Sequence, residues 1–318
     1  MFRTQDLRDS LELLADHGLL VESGAPANGA ALDGDGDDER MAPQVNLFHD
    51  LAPGVAVQHG LSAATVAVVG LGGAGPATAL ALAAAGVGAL RCVDWAPVAP
   101  ADLYLSPFLG PDRLGAGRAA ATADLVRAAA PGTEAIVADR PLDSEDDLRS
   151  AVDGADVVVC CLDASYANLV FKLNRVCLAD GRRWLTCALA GAEVVVGPVM
   201  HPGRSACYLC YRMRVVACAG NPEDAFAYER YLDGRKRDDS ARRENLVFGA
   251  GLVANLVGLE VVKLLTDVME PSLVGRILTV RLADLAVRRH TVLRKPWCPA
   301  CFSPEQADPP EGGDAGAG

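Results

Sequence analysis

From Ser62 to about Leu189 the chain alternates short apolar runs with longer segments of small, helix-forming residues. ATVAVVG (64–70) has the unbroken apolar character of a strand buried on both faces, and PATALALAAAG (76–86) has the length and composition of a helix. ALRCVDW (89–95) predicts a second strand, GRAAATADLVRAAAP (117–131) a helix ended by Pro131, and EAIVAD (134–139) a third strand. DVVVCCLD (156–163) predicts a fourth strand, followed by a helix over about 166–179 and a fifth strand, RWLTCAL (183–189). A helix over about 249–265 and the strand-like runs RILTVRL and RRHTVLR complete the pattern. Strand and helix in such alternation imply an α/β architecture with a doubly wound, mostly parallel sheet.

The segment before Ser62 differs in character. Thr4 to Ser23 places Leu7, Leu11, Leu14 and Ala15 at helical spacing, then passes through Gly18 into a short apolar run. Helix, glycine and strand in that order predict a partial winged-helix-like element over residues 1–25. PANGAALDGDGDDER is small and acidic, which predicts a flexible linker over 26–45. The main domain is expected over 46–305 and a disordered tail over 306–318. The charged stretch NPEDAFAYERYLDGRKRDDSARREN admits two readings, a solvated helix of mixed charge or a loop crossing an active site.

Charge narrows the range of partners. The formal net charge is -12, and no stretch joins clustered Lys and Arg with aromatics, so nucleic acid is not an expected partner. The longest apolar runs contain glycines or are interrupted by Asn255, Glu260 and Lys263, so no membrane span is expected. MFRTQDLRDS lacks the basic start and apolar core of an export signal, and a cytoplasmic location follows as the expectation. In that setting ten cysteines point to metal, reactive thiols or core packing rather than disulfides.

Two motifs carry candidate chemistry. VVGLGGAG (68–75) joins a strand to a helix through Gly70, Gly72, Gly73 and Gly75, a turn that lets backbone approach a phosphate at a helix N-terminus. Asp94 closes the next strand, where an acid accepts hydrogen bonds from a ribose. A nucleotide site and a tight turn that binds nothing both fit, and the commonest owner of the pattern is a nicotinamide-dependent oxidoreductase. The second motif is a pair of C-x-x-C knuckles, Cys207/Cys210 and Cys298/Cys301. Four thiolates so arranged predict a structural zinc site tying the end of the chain back to the sheet, with a redox role as the alternative. Cys92, Cys160, Cys161, Cys177 and Cys187 lie in apolar segments and read as core, Cys218 reads as a candidate accessible nucleophile, and His201 and His290 read as structural or exposed.

The glycine turn with Asp94, the later aspartate Asp163 in CCLDA, and the two knuckles together resemble the ThiF/MoeB-like proteins of the ubiquitin-activating superfamily over roughly residues 58–303. The resemblance implies a Rossmann-like fold with a C-terminal zinc-knuckle subdomain, ATP and magnesium as ligands, adenylation of a C-terminal carboxylate, and a homodimer. By the same resemblance Gly70, Gly72, Gly73 and Gly75 would line the triphosphate, Asp94 the ribose and Asp163 the magnesium, while Arg118 stands where the family has a lysine near the phosphates. The sequence departs from the pattern after the second strand. Where the family commonly has Asn-x-x-Arg-Gln, this chain has Asp102, Leu105 and Ser106, and Ala164 stands where the family often has Asn. Leu105 cannot neutralise a transferring phosphate, and Asp102 brings the opposite charge.

One branch of that superfamily has a depleted site of this kind. Its members carry an N-terminal peptide-recognition element, bind the leader of a ribosomally made precursor, and present the peptide to a YcaO-type cyclodehydratase, which consumes ATP to form azolines. VVVGPVMHPGRSACYLCYRMR and CAGNPEDAFAYER resemble that branch. The leading expectation is therefore a leader-binding partner in RiPP biosynthesis with little or no catalysis of its own. An adenylyltransferase acting through Asp163 and Arg118 is the alternative, and an oxidoreductase the third.

Overall fold

The computed structural model describes residues 4–16, 37–52, 56–162, 166–234 and 245–302. The chain divides into two units, residues 1–56 and 57–318. In the first, α1 (Thr4–Asp16) follows the leucine spacing, with Leu7, Leu11, Leu13 and Leu14 exposed. The short apolar run after Gly18, expected as a strand, lies outside the described residues. So does the first part of the expected linker. The second part is helical: α2 (Asp37–Leu51) takes up positions 37–45, with Pro43 inside it.

The second unit opens with α3 (Val57–Ala63) and then builds the doubly wound half: β1 (Thr65–Val69), α4 (Gly75–Ala84), β2 (Ala89–Val93), α5 (Pro100–Leu105), α6 (Arg118–Ala129), β3 (Glu134–Ala138), α7 (Glu145–Ala151), β4 (Val157–Cys160), α8 (Ala167–Ala179) and β5 (Arg183–Ala190). The chain then turns back through β6 (Glu193–Met200), followed by α9 (Tyr208–Ala217), α10 (Pro222–Gly234), α11 (Val247–Thr266), β7 (Arg276–Arg281) and β8 (Ala286–Thr291). The strand order is β3-β2-β1-β4-β5-β6-β7-β8. The first five pair in parallel and the last three antiparallel. AEVVVGPVM is thus a full sheet strand, and the charged stretch after Asn221 forms α10 before leaving the described residues at 235. The expected tail, residues 306–318, also lies outside them.

The core explains the strand pattern. Val66, Val68 and Val69 of β1 and Val157, Val158 and Val159 of β4 are fully buried, as central strands covered by helices on both faces require. α11 is the single described helix long and apolar enough to cross a membrane, but half of that apolar window is buried, and the helix packs on α4 and β6. The chain leaves β1 toward β2 on one side and reaches β4 on the other, so the order of the sheet reverses at the carboxyl ends of β1 and β4. Such a switch point is where open α/β sheets hold ligands. The glycine turn follows β1 at this point.

Candidate functional site

The turn from β1 to α4 is shaped by two close backbone approaches. Gly70 has a φ of +94°, and a side chain there would also come within 2.9 Å of the Leu162 backbone nitrogen. Gly75 is tighter still, since a Cβ would lie 2.1 Å from the Gly70 carbonyl oxygen. Both glycines have structural reasons that no ligand need supply. Gly72 and Gly73 differ: a Cβ on Gly72 would meet the Arg118 guanidinium at 2.8 Å, whereas nothing lies within 4 Å of one on Gly73. Among the described residues, the Gly73 face of this turn is open beside the N-terminus of α4.

Asp94 ties the turn to the end of β2. Its Oδ2 accepts from the Leu71 amide at 2.7 Å and its Oδ1 from the Ala96 amide at 2.8 Å. Burial pushes its carboxyl above the usual range, an effect that the Arg118 guanidinium and the two amides partly oppose. Arg118, in the first turn of α6, donates from Nε to Asp102 Oδ2 at 2.8 Å and from Nη2 to Asp102 Oδ1 at 3.3 Å. Its Nη1 lies 3.9 Å from Asp94 Oδ2. Asp102 is 1% exposed and Arg118 7%. Among the described residues, the Arg118 guanidinium thus faces the buried carboxylates of Asp94 and Asp102 at the place where the resemblance puts a triphosphate.

DLYL makes the last four residues of α5, and Ser106 is its C-cap. Asp102 Oδ2 also accepts from the Ala99 amide at 2.8 Å, capping the helix, and Ser106 Oγ reaches the Gly73 carbonyl at 3.4 Å. Leu105 is half-buried and carries no charge. Sequence reasoning placed Asp102 among the phosphates as an unfavourable charge; in the fold it is the counter-ion of Arg118. Asp163 and Ala164 lie outside the described residues, so the magnesium position carries no geometry. Cys161 and Leu162, just before them, abut Gly70.

The knuckles come together as the sequence predicts. Cys207 occupies the N-cap position of α9, Cys210 lies in its first turn, and Cys298 and Cys301 occupy a turn after β8. Their Sγ atoms are separated by 3.8 Å (Cys207–Cys210), 3.8 Å (Cys207–Cys298) and 3.6 Å (Cys210–Cys301). A tetrahedron with metal–sulfur bonds of about 2.3 Å has edges of about 3.8 Å. All four ligand atoms lie within 4.8 Å of one another. Thiol contacts from Cys207 and Cys210 push Cys301 down to about 3, while contact with Cys210 and then Cys301 pushes Cys207 up. A bound cation would resolve this conflict among crowded thiols. The Lys295 amide donates to Cys210 Sγ at 3.4 Å, and Ile277 and Val292 pack behind the cluster. The donor set fits a tetrahedral metal ion.

The remaining cysteines behave largely as core. Burial pushes Cys92, Cys160 and Cys177 up to about 12, Cys187 is buried, and Cys161 is half-buried. Cys218 is exposed at the end of α9. His290 is exposed on β8; His201 has a buried Nδ1 without a hydrogen-bond partner among the described residues.

Comparison with known proteins agrees with this geometry. The model of the ThiF family matches residues 42–300. The chain belongs to the ThiF family. Among its relatives is "Protein HesA" of Nostoc sp., 28% identical over 250 residues that cover 78% of this chain and 88% of that protein. Another, "Protein HesA" of Leptolyngbya boryana, is 27% identical over 246 residues, covering 77% of this chain and 79% of that one. Solved structures with this ThiF fold include E. coli MccB with ATP, at a TM-score of 0.72 and 17% identity over 95% of this chain and 82% of that one. PaaA superposes with a TM-score of 0.73 and 19% identity over 91% and 92% of the two chains. The microcin C7 biosynthetic enzyme MccB in complex with N-formylated MccA gives 0.74 at 17% identity, over 95% and 83%.

Proposed function

We propose that this chain is a ThiF-like partner protein in ribosomal peptide (RiPP) modification, which binds the leader of a precursor and presents the peptide to a YcaO-type cyclodehydratase. The observation that carries the reading is the Arg118–Asp102 pair. An adenylating site stabilises transferring phosphates with uncommitted positive charge, and removing one such preorganised group costs roughly 3 to 4 kcal/mol of transition-state stabilisation. Here Leu105 offers none, and the guanidinium beside the turn is held by a carboxylate. Peptide handling is supported by MccB, a biosynthetic enzyme of this fold solved with N-formylated MccA. The exposed leucine row of α1 offers a leader apolar contact. Zinc in the cysteine cluster holds the antiparallel end of the sheet together, and the protein acts in the cytoplasm as a homodimer.

Titration calorimetry tests the reading: magnesium ATP is added to zinc-replete protein, then a synthetic leader peptide from a neighbouring precursor gene. Leader binding without ATP binding is the expected result. An adenylyltransferase that uses ATP and magnesium is the second reading, favoured by the open Gly73 face and by MccB with ATP. Tight ATP binding together with peptide-dependent exchange of pyrophosphate into ATP would establish it instead.

A further inference from the structure

We infer that Cys161, just past the carboxyl end of β4, and Cys187, within β5, are a reversible dithiol–disulfide pair, a modification site that stands whether or not the chain binds ATP or a leader. Their Sγ atoms are 3.3 Å apart. The parallel register pairs Cys160 with Thr186, which sets the next residue of each strand side by side. Neighbouring strands lie about 4.8 Å apart. That spacing is inside the Cα separation of disulfides, about 4.4 to 6.8 Å. Closing the sulfurs to a bond of about 2.05 Å asks for a movement of about 1.3 Å, within reach of small side-chain rotations.

Face and access single out these two thiols. Side chains alternate along a strand, so Cys160 points the other way, into the core beside Trp184 and Cys177. Cys161 is half-buried and meets solvent, while Cys187 is 3% exposed. Cys161 is therefore the entry thiol and Cys187 the resolving one. With a low-molecular-weight disulfide RSSR as oxidant, the Cys161 sulfur attacks one sulfur, forms Cys161–S–S–R and releases RSH. The Cys187 sulfur then attacks Cys161, expels the second RSH and closes the protein disulfide, so the protein loses two hydrogens and two electrons and RSSR is reduced to two RSH. The product would lock the Cys161–Leu162 backbone, against which the Gly70 turn is packed.

The test uses the full chain with its metal. After incubation with glutathione disulfide and alkylation of free thiols, mass spectrometry should find the Cys161 and Cys187 peptides linked with two hydrogens lost, the link reversed by dithiothreitol and the metal retained. In Cys161→Ser the link should vanish. In Cys187→Ala the reaction should stop at a glutathione adduct on Cys161. A link that persists in Cys161→Ser overturns the proposal, since Cys187 would then pair elsewhere. Full alkylation of Cys161 in wild type and Cys187→Ala, under conditions that glutathionylate the exposed Cys218, overturns it as well.

Discussion

Arg118 and Asp102 make a two-point ion pair, 2.8 and 3.3 Å long, beneath a turn that would otherwise offer its cation to a phosphate. Both side chains are almost wholly buried. Breaking such a pair from one side leaves an uncompensated charge, which costs about 3 to 5 kcal/mol. Arg118→Met should therefore lower stability by about 3 kcal/mol, read as a shift of the urea midpoint. Adding Asp102→Asn, which keeps an acceptor for the Ala99 amide, should recover most of that loss. A wild-type midpoint for Arg118→Met would show that the guanidinium is not held for structure.

The four glycines should separate into two classes. Gly75→Ala drives a methyl to 2.1 Å from the Gly70 carbonyl and should destabilise the protein by about 3 kcal/mol or more, in the range of overpacking and backbone strain. Gly73→Ala meets nothing within 4 Å among the described residues and should change stability by no more than about 1 kcal/mol. Thermal melting of the two variants decides the point. If ATP does bind, Gly73→Ala is the variant that should weaken it without unfolding the chain.

Metal analysis addresses the cysteine cluster. Chelator-free protein should carry about one zinc ion per chain, and Cys207→Ser with Cys298→Ser should abolish it and lower the melting temperature. Unchanged zinc content and melting in the double variant would remove the structural role. Stripping the metal from wild type should reproduce the variant's melting curve.

His201 gives a pH signature. Its pKa is pushed below the ordinary 6.5, first by burial and then by Arg204 and Arg183, so the folded protein favours the neutral ring. As pH falls below about 6.5 the unfolded chain takes up a proton before the folded one does, and stability falls until the folded-state pKa is passed. His201→Gln should flatten that part of the stability curve. An identical acid-side slope in wild type and variant would rule His201 out as its source.

Much of this architecture is legible in the residues because strand and helix differ in period. β1 and β4 announce themselves as valine runs, α4 and α6 as small-residue helices, and the knuckles as spaced cysteine pairs. What escaped was pairing across the fold. Nothing local to Asp102 says that its partner is Arg118, because the two meet only when α5 and α6 pack under the same turn. The Cys161–Cys187 contact is equally silent: each residue looks like core, and the strand register alone sets them together. At α2 the local signal itself was misleading, since small acidic residues before Asp37 extended a linker pattern into a helix.

The cysteine cluster also sets an order of events during synthesis. Its halves are 91 residues apart, and the second follows β8, after every other element of the sheet. The parallel strands β1 to β5 come from one continuous stretch, 65–190, and can assemble as that stretch leaves the ribosome. An ion held by all four thiols would have to wait until the second knuckle has emerged. A chain halted short of Cys298 would expose its first pair of thiols without their partners, so a four-thiolate site could form only after Cys301 has been made.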